Sequence, residues 1–141
     1  MNNQKQMLEI LKDTRDYYAA DPDNRRSITK DGECQYTWGN THCAVGRYLR
    51  EEYQVDNWQC NSESVNQLCE VSPNEWNIDW VLRDEVHGID PDFWKDLQDF
   101  HDSRHNWIIT KPSEREDGLS DTGKGHYVGM QDRIVEGRYD G

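Results

Sequence analysis

Two stretches of this chain bring together residue types that do covalent chemistry. His42-Cys43-Ala44-Val45-Gly46-Arg47 places a thiol next to an imidazole at the predicted start of a helix. There, unsatisfied backbone N–H groups and the positive end of the helix dipole stabilise a thiolate. Further along, Leu97-Gln98-Asp99-Phe100-His101-Asp102 sets an imidazole four residues after Leu97, on the apolar face of a predicted helix, with a carboxylate beside it. Cys43, His101 and Asp102 together would make a nucleophile, a base and an orienting acid. The same residues also have a packing reading, and it outweighs the chemical one. Free Cys is among the most buried residue types, Ala44 and Gly46 are small where segments pack tightly, and His101 can simply line a core. A small cysteine-dependent hydrolase or transferase using Cys43, His101 and Asp102 is therefore the alternative, and no catalytic residue is favoured.

Metal and nucleotide chemistry are less well served. There is no Cys-x-x-Cys, and His101 and His105 suit two ligands on one helix only if that helix continues past Asp102. No metal or cofactor is expected. No Gly-rich loop follows a hydrophobic strand, so the phosphate-cradling motifs are missing. A different anion site remains open in the first fifty residues, where Arg25, Arg26, Arg47 and Arg50 accompany Tyr36 and Trp38. Arginine forks pair with phosphate and aromatic faces stack on bases, so these six are the candidate ligand-binding residues for a small nucleotide-type anion. The opposing reading, that the arginines neutralise acidic parts of the fold, has at least equal weight.

The elements that must position these residues are mostly helical. Met7, Ile10, Leu11, Tyr17 and Tyr18 recur at helical spacing and predict an amphipathic helix over about 3–19. Residues 34–38 alternate like one short irregular strand. Thr41 predicts the N-cap of a helix to about Tyr53, with Val45, Tyr48, Leu49 and Tyr53 on one face. Asn61 or Ser62 caps a short helix carrying Val65, Leu68 and Cys69. Val81, Leu82 and Val86 form one helical stripe closed by Gly88. Asp90-Pro91 starts a helix that carries Phe93, Trp94, Leu97, Phe100 and His101. Residues 111–125 read as a mobile polar loop before a last helix near 126–137. No internal repeat is evident. The expected fold class is mainly α: a compact single domain over 1–141 of five or six short helices, with at most a short irregular β segment near 34–38.

Composition narrows the function. The chain has 141 residues, only 33% of them hydrophobic, and a formal net charge of −12. That balance approaches the range of disordered chains, but six Trp and seven Tyr supply large buried areas for a small core. Residues 51–110 hold three basic against fourteen acidic side chains, whereas residues 1–50 are almost neutral. Such an excess opposes non-specific nucleic-acid binding and suits a basic partner. No apolar run approaches the length of a membrane span and the first residues lack a signal-peptide pattern. A cytoplasmic protein with reduced cysteines is expected.

Several islands taken together resemble a loose group of small uncharacterised phage and bacterial proteins. The islands are Cys43-Ala44-Val45-Gly46 at a helix start, Leu97-Gln98-x-x-His101-Asp102, Trp107, and Leu119-Ser120-x-x-Gly123 before a closing helix. The resemblance runs from about residue 34 to 135 and implies a compact helical domain, often in a phage setting, with no particular activity. The chain departs from the group in its acidic 51–80 stretch and in 111–118. By analogy, the expected role is a phage-type accessory protein that binds rather than catalyses in the host cytoplasm and antagonises host defence. It would sequester a nucleotide-type signal or engage a basic host protein through residues 51–110. A virion or assembly accessory protein that self-associates is a third reading.

Overall fold

A computed structural model describes residues 4–20, 35–38, 41–72, 77–102, 106–107 and 119–139. Helix α1 (Gln4–Ala20) buries Met7, Ile10, Leu11, Thr14 and Tyr18, the stripe its spacing predicts. The core behind it is built from aromatic and branched residues, among them Tyr18, Leu49, Leu68, Leu82, Phe93, Trp94, Leu97 and Phe100, all without exposed surface. None of the described helices is long and apolar enough to cross a membrane.

Residues 41–53 correct the helix expected there. Thr41–His42 is instead a strand, β2, antiparallel to β1 (Thr37–Trp38), with Thr37 opposite His42 and Trp38 opposite Thr41. The Cys43 amide donates to the Tyr36 carbonyl at 3.1 Å, so the backbone groups that would open a helix are spent on the hairpin. The chain then makes two 3-10 turns, Gly46–Tyr48 and Glu51–Tyr53, joined by extended Leu49 and Arg50. The stripe from Ile78 to Val86 is likewise two 3-10 turns, Asp79–Val81 and Asp84–Val86, joined by extended Leu82 and Arg83.

These two segments are an internal repeat that the sequence reading missed. Tyr48-Leu49-Arg50-Glu51-Glu52 aligns with Val81-Leu82-Arg83-Asp84-Glu85. The copies meet as an antiparallel bridge between Leu49 and Leu82, closed by Arg50 N–H to the Val81 carbonyl (2.9 Å) and Arg83 N–H to the Tyr48 carbonyl (3.0 Å). Even the fifth residue after each leucine matches in role. Gln54 donates to the Leu49 carbonyl and His87 Nε2 pairs with the Leu82 carbonyl, both at 2.9 Å.

Three further helices complete the frame. Helix α2 (Val65–Glu70) starts at Ser64, not at Asn61 or Ser62. Ser64 and Gln67 form a reciprocal capping box. Asn61 is occupied elsewhere: it is buried and its side chain accepts from Thr37 N–H and donates to the Thr37 carbonyl, each at 2.8 Å. Helix α3 (Pro91–Asp102) begins as expected, with Asp90 Oδ1 accepting from Asp92 N–H at 2.9 Å after Gly88 at φ 85°. Helix α4 (Asp121–Val135) starts earlier than expected, capped by the Ser120 hydroxyl accepting from Gly123 N–H. Residues 121–125 are thus helix rather than polar loop, while 111–118 lie outside the described residues. Helices α1, α3 and α4 pack on one another, and α2 packs on α3. The fold is mainly helical, with one two-stranded hairpin.

Candidate functional site

The islands at Cys43 and at Leu97-Gln98-x-x-His101-Asp102 face each other in the core. Cys43 is fully buried in the turn after β2, its sulfur accepting from Gly46 N–H at 3.2 Å and bonded to the Gln98 side chain. Gln98 Oε1 also takes the Val45 N–H at 3.2 Å, so one amide from α3 holds the turn. Burial pushes the Cys43 thiol well above its ordinary range, and the Asp102 charge pushes it the same way. His101 bonds Asp102 through Nδ1 at 2.7 Å, and Tyr18 meets the His101 ring edge-on at 4.6 Å. His42 turns away from the thiol and bonds Thr37 Oγ1 at 3.0 Å. No α-helix starts at Cys43, so no dipole acts on it. The thiol is sealed in a polar-stitched core, and its burial favours the neutral form over the thiolate that nucleophilic chemistry uses.

The remaining islands converge at the end of α3. Trp107 Nε1 donates to the His101 carbonyl at 3.0 Å. Asn106, buried, donates from Nδ2 to the Phe100 carbonyl (2.8 Å) and meets His126 Nδ1 on α4 (3.3 Å). Its own carbonyl accepts from Ser120 N–H at 2.9 Å. Thus α3, α4 and the segment before α4 are tied at one residue.

Of the six proposed anion-binding residues, only Tyr36 lines either of the two described cavities. Arg25 and Arg26 lie outside those residues. Tyr36 is 2% exposed while Trp38, two positions on, is 44% exposed. The guanidinium of Arg47 lies 3.9 Å over the Tyr17 ring and pairs with Asp13 at 2.9 Å. Arg50 pairs with Asp84 at 2.7 Å. Both arginines are thus committed to acidic neighbours within the fold. His105, named above as a potential metal ligand, lies outside the described residues, and among those residues no group of three or more His, Cys, Asp or Glu is arranged to hold a metal.

A cleft that sequence reasoning did not single out lies between the start of α2 and α3. It encloses about 290 Å³ and is lined by Glu63, Ser64 and Gln67 on one side and by Lys95, Asp99 and Asp102 on the other, with Tyr36 among its walls. The Tyr36 hydroxyl and Glu63 Oε2 are buried without a hydrogen-bond partner. An unpartnered buried polar atom costs on the order of 1–3 kcal/mol. Burial raises the Tyr36 phenol well above its ordinary range, and Cys43, Asp102 and Glu63 add to the shift. Asp99 is raised as well, by partial burial and then by the charges of Asp102 and Asp96, against Lys95. The cleft therefore concentrates negative charge and unsatisfied oxygen. From sequence, Tyr36 was recognisable for stacking and Asp102 as a candidate orienting acid; Glu63 and Asp99 were two carboxylates among many. Comparison with known protein families, with curated proteins and with solved structures finds no match for this chain.

Proposed function

We propose that the protein acts by binding, not by catalysis, and presents the acidic face of residues 51–110 to a basic protein. In the phage setting that the resemblance implies, the partner is a host protein. The observation that supports this reading is an imbalance of commitment. Arg47 and Arg50, near the hairpin, are each paired with a carboxylate, Asp13 and Asp84. In contrast, Glu51, Glu52, Glu70, Glu85 and Asp92 are exposed and make no ion pair among the described residues. A free anion would meet arginines already neutralised, whereas a cationic surface would meet available carboxylates.

The test is titration of the protein with a synthetic peptide alternating Lys, Arg and Gly. Binding should weaken about tenfold or more as ionic strength rises from roughly 0.05 M to roughly 0.5 M, and a Glu51→Gln, Glu52→Gln, Glu85→Gln triple variant should bind more weakly. Absence of binding, or binding indifferent to salt and to the triple variant, rejects the reading.

A further inference from the structure

We propose that the cleft between α2 and α3 is a receptor for a guanidinium group, the arginine side chain of the basic partner, held by Glu63, Asp99 and Asp102 with the Tyr36 hydroxyl. This rests on the basic-partner reading and assigns it a specific contact.

Three observations converge on a cation of this shape. The first is charge: three carboxylates, of which Asp102 is already bonded to His101, line the cleft against one lysine, Lys95, whose side chain is exposed. The second is independent of charge. The Tyr36 hydroxyl and Glu63 Oε2 are buried and have no hydrogen-bond partner, although nearly all buried polar groups in folded proteins are satisfied. Tyr36 lines the cleft, and the charges of Glu63 and Asp102 both act on its phenol. A ligand entering there supplies the missing donors. The third is the class of cation. Among the described residues no set of three metal-ligating side chains converges, so a bare divalent ion is poorly matched. The oxygens come from three separate parts of the chain: Tyr36 before β1, Glu63 before α2, and Asp99 and Asp102 on α3. A planar fork with five donors reaches acceptors spread in this way better than a compact ammonium, and it is less strongly hydrated. The cleft volume, about 290 Å³, admits one such side chain and not a folded segment.

The experiment is an NMR titration of the full chain with N-acetylarginine amide, N-acetyllysine amide and N-acetylcitrulline amide, the last a neutral isostere. Saturable binding of the arginine compound is expected, with shifts at Glu63, Asp99 and Asp102. The lysine compound should bind several-fold more weakly and the citrulline compound at least tenfold more weakly. Glu63→Gln should weaken arginine binding at least tenfold. Tyr36→Phe provides a second, sharper readout. It removes an unpartnered hydroxyl, so the free protein should melt at the same temperature or higher while arginine binding weakens several-fold. Equal binding of arginine and citrulline, or unchanged arginine binding in folded Tyr36→Phe, overturns the proposal.

The two readings fail separately. If the basic peptide binds in a salt-dependent way but Tyr36→Phe and Glu63→Gln leave it unaffected, the cleft falls and the partner reading stands. If the arginine compound binds the cleft and the peptide does not bind, the cleft stands and the partner reading falls.

Discussion

Cys43 shows how environment decides what a reactive residue type does. Its thiol has no exposed surface, is pushed above its ordinary range by burial, and is bonded by Gly46 N–H and Gln98. Iodoacetamide at neutral pH should therefore label Cys43 only as fast as the protein unfolds, and peptide-level mass spectrometry would show its labelling accelerating with denaturant. Rapid stoichiometric labelling of the native protein would restore a nucleophilic role. At this scale the sequence was informative about type and poor about setting. The proximity of Cys43 to the α3 motif could be suspected from the pairing of two chemically capable islands. Its burial was expected from residue type and is found, but which segment covers the turn could not be read from the sequence. Tyr36 was singled out for its ring, yet its hydroxyl carries the interest. Glu63 and Asp99 gave no local signal, since nothing in a run of acids marks the two that a fold turns towards one cleft.

Close approach between elements is set by two glycines. A Cβ on Gly46 would stand 2.1 Å from the Tyr36 carbonyl oxygen, and one on Gly123 would stand 2.2 Å from that of Asn106. Both neighbours are backbone atoms that are themselves hydrogen-bonded, so neither can swing aside. Gly46→Ala and Gly123→Ala should each cost about 2 kcal/mol or more by forcing the hairpin from its turn and α4 from Asn106. Gly125 and Gly129 are helical with open space around them; alanine there should add up to about 1 kcal/mol. Thermal melts of the four variants would check both signs, and equal effects across them would contradict this account. The helix with a continuous apolar stripe, α1, and the one that adds a clear start signal, α3, were legible from the sequence. The segments 46–53 and 79–86 were not. In a 3-10 turn, two extended residues and another 3-10 turn, Leu49 is buried and Tyr48 and Tyr53 half-buried, a pattern that periodicity alone does not separate from a helix. The Leu-Arg-Asp/Glu-Glu repeat was the available signal, and it becomes meaningful only when Leu49 and Leu82 are seen to pair.

For the molecule as a whole, acidity and pH act through a few half-buried groups. Burial lowers His42 and His126 below their ordinary value of 6.5; nearby arginines add to this in both, and carboxylates oppose it. The unfolded chain therefore takes up protons before the folded one does. Stability should be full above about pH 6.5 and fall as the pH drops through the interval down to the lower folded values. Asp99, raised in the fold, works in the opposite sense, but only nearer the carboxylate range. Urea midpoints near pH 7.5 and near pH 5.5 should differ in this direction, and a His42→Gln, His126→Gln variant should narrow the difference. A midpoint that is constant or higher on the acid side would count against it. The overall charge was legible from composition. Its division into committed arginines and available carboxylates required the fold.

The packing of α1 against α4 has a consequence for how the protein is made. Gln4 reaches the Val135 carbonyl, and the two helices lie side by side although about 100 residues separate them. On the ribosome, that interval takes roughly 5–20 s to synthesise. α1 also packs on α3, which emerges earlier, but its contacts with α4 stay unmade throughout, and a 17-residue helix is marginal alone in water. The nascent chain thus carries a partly uncovered apolar stripe over that interval, and docking against α4 must wait for that helix. Chaperone demand and vulnerability to aggregation should therefore be greater in this first segment than in the acidic middle, where like charges oppose association.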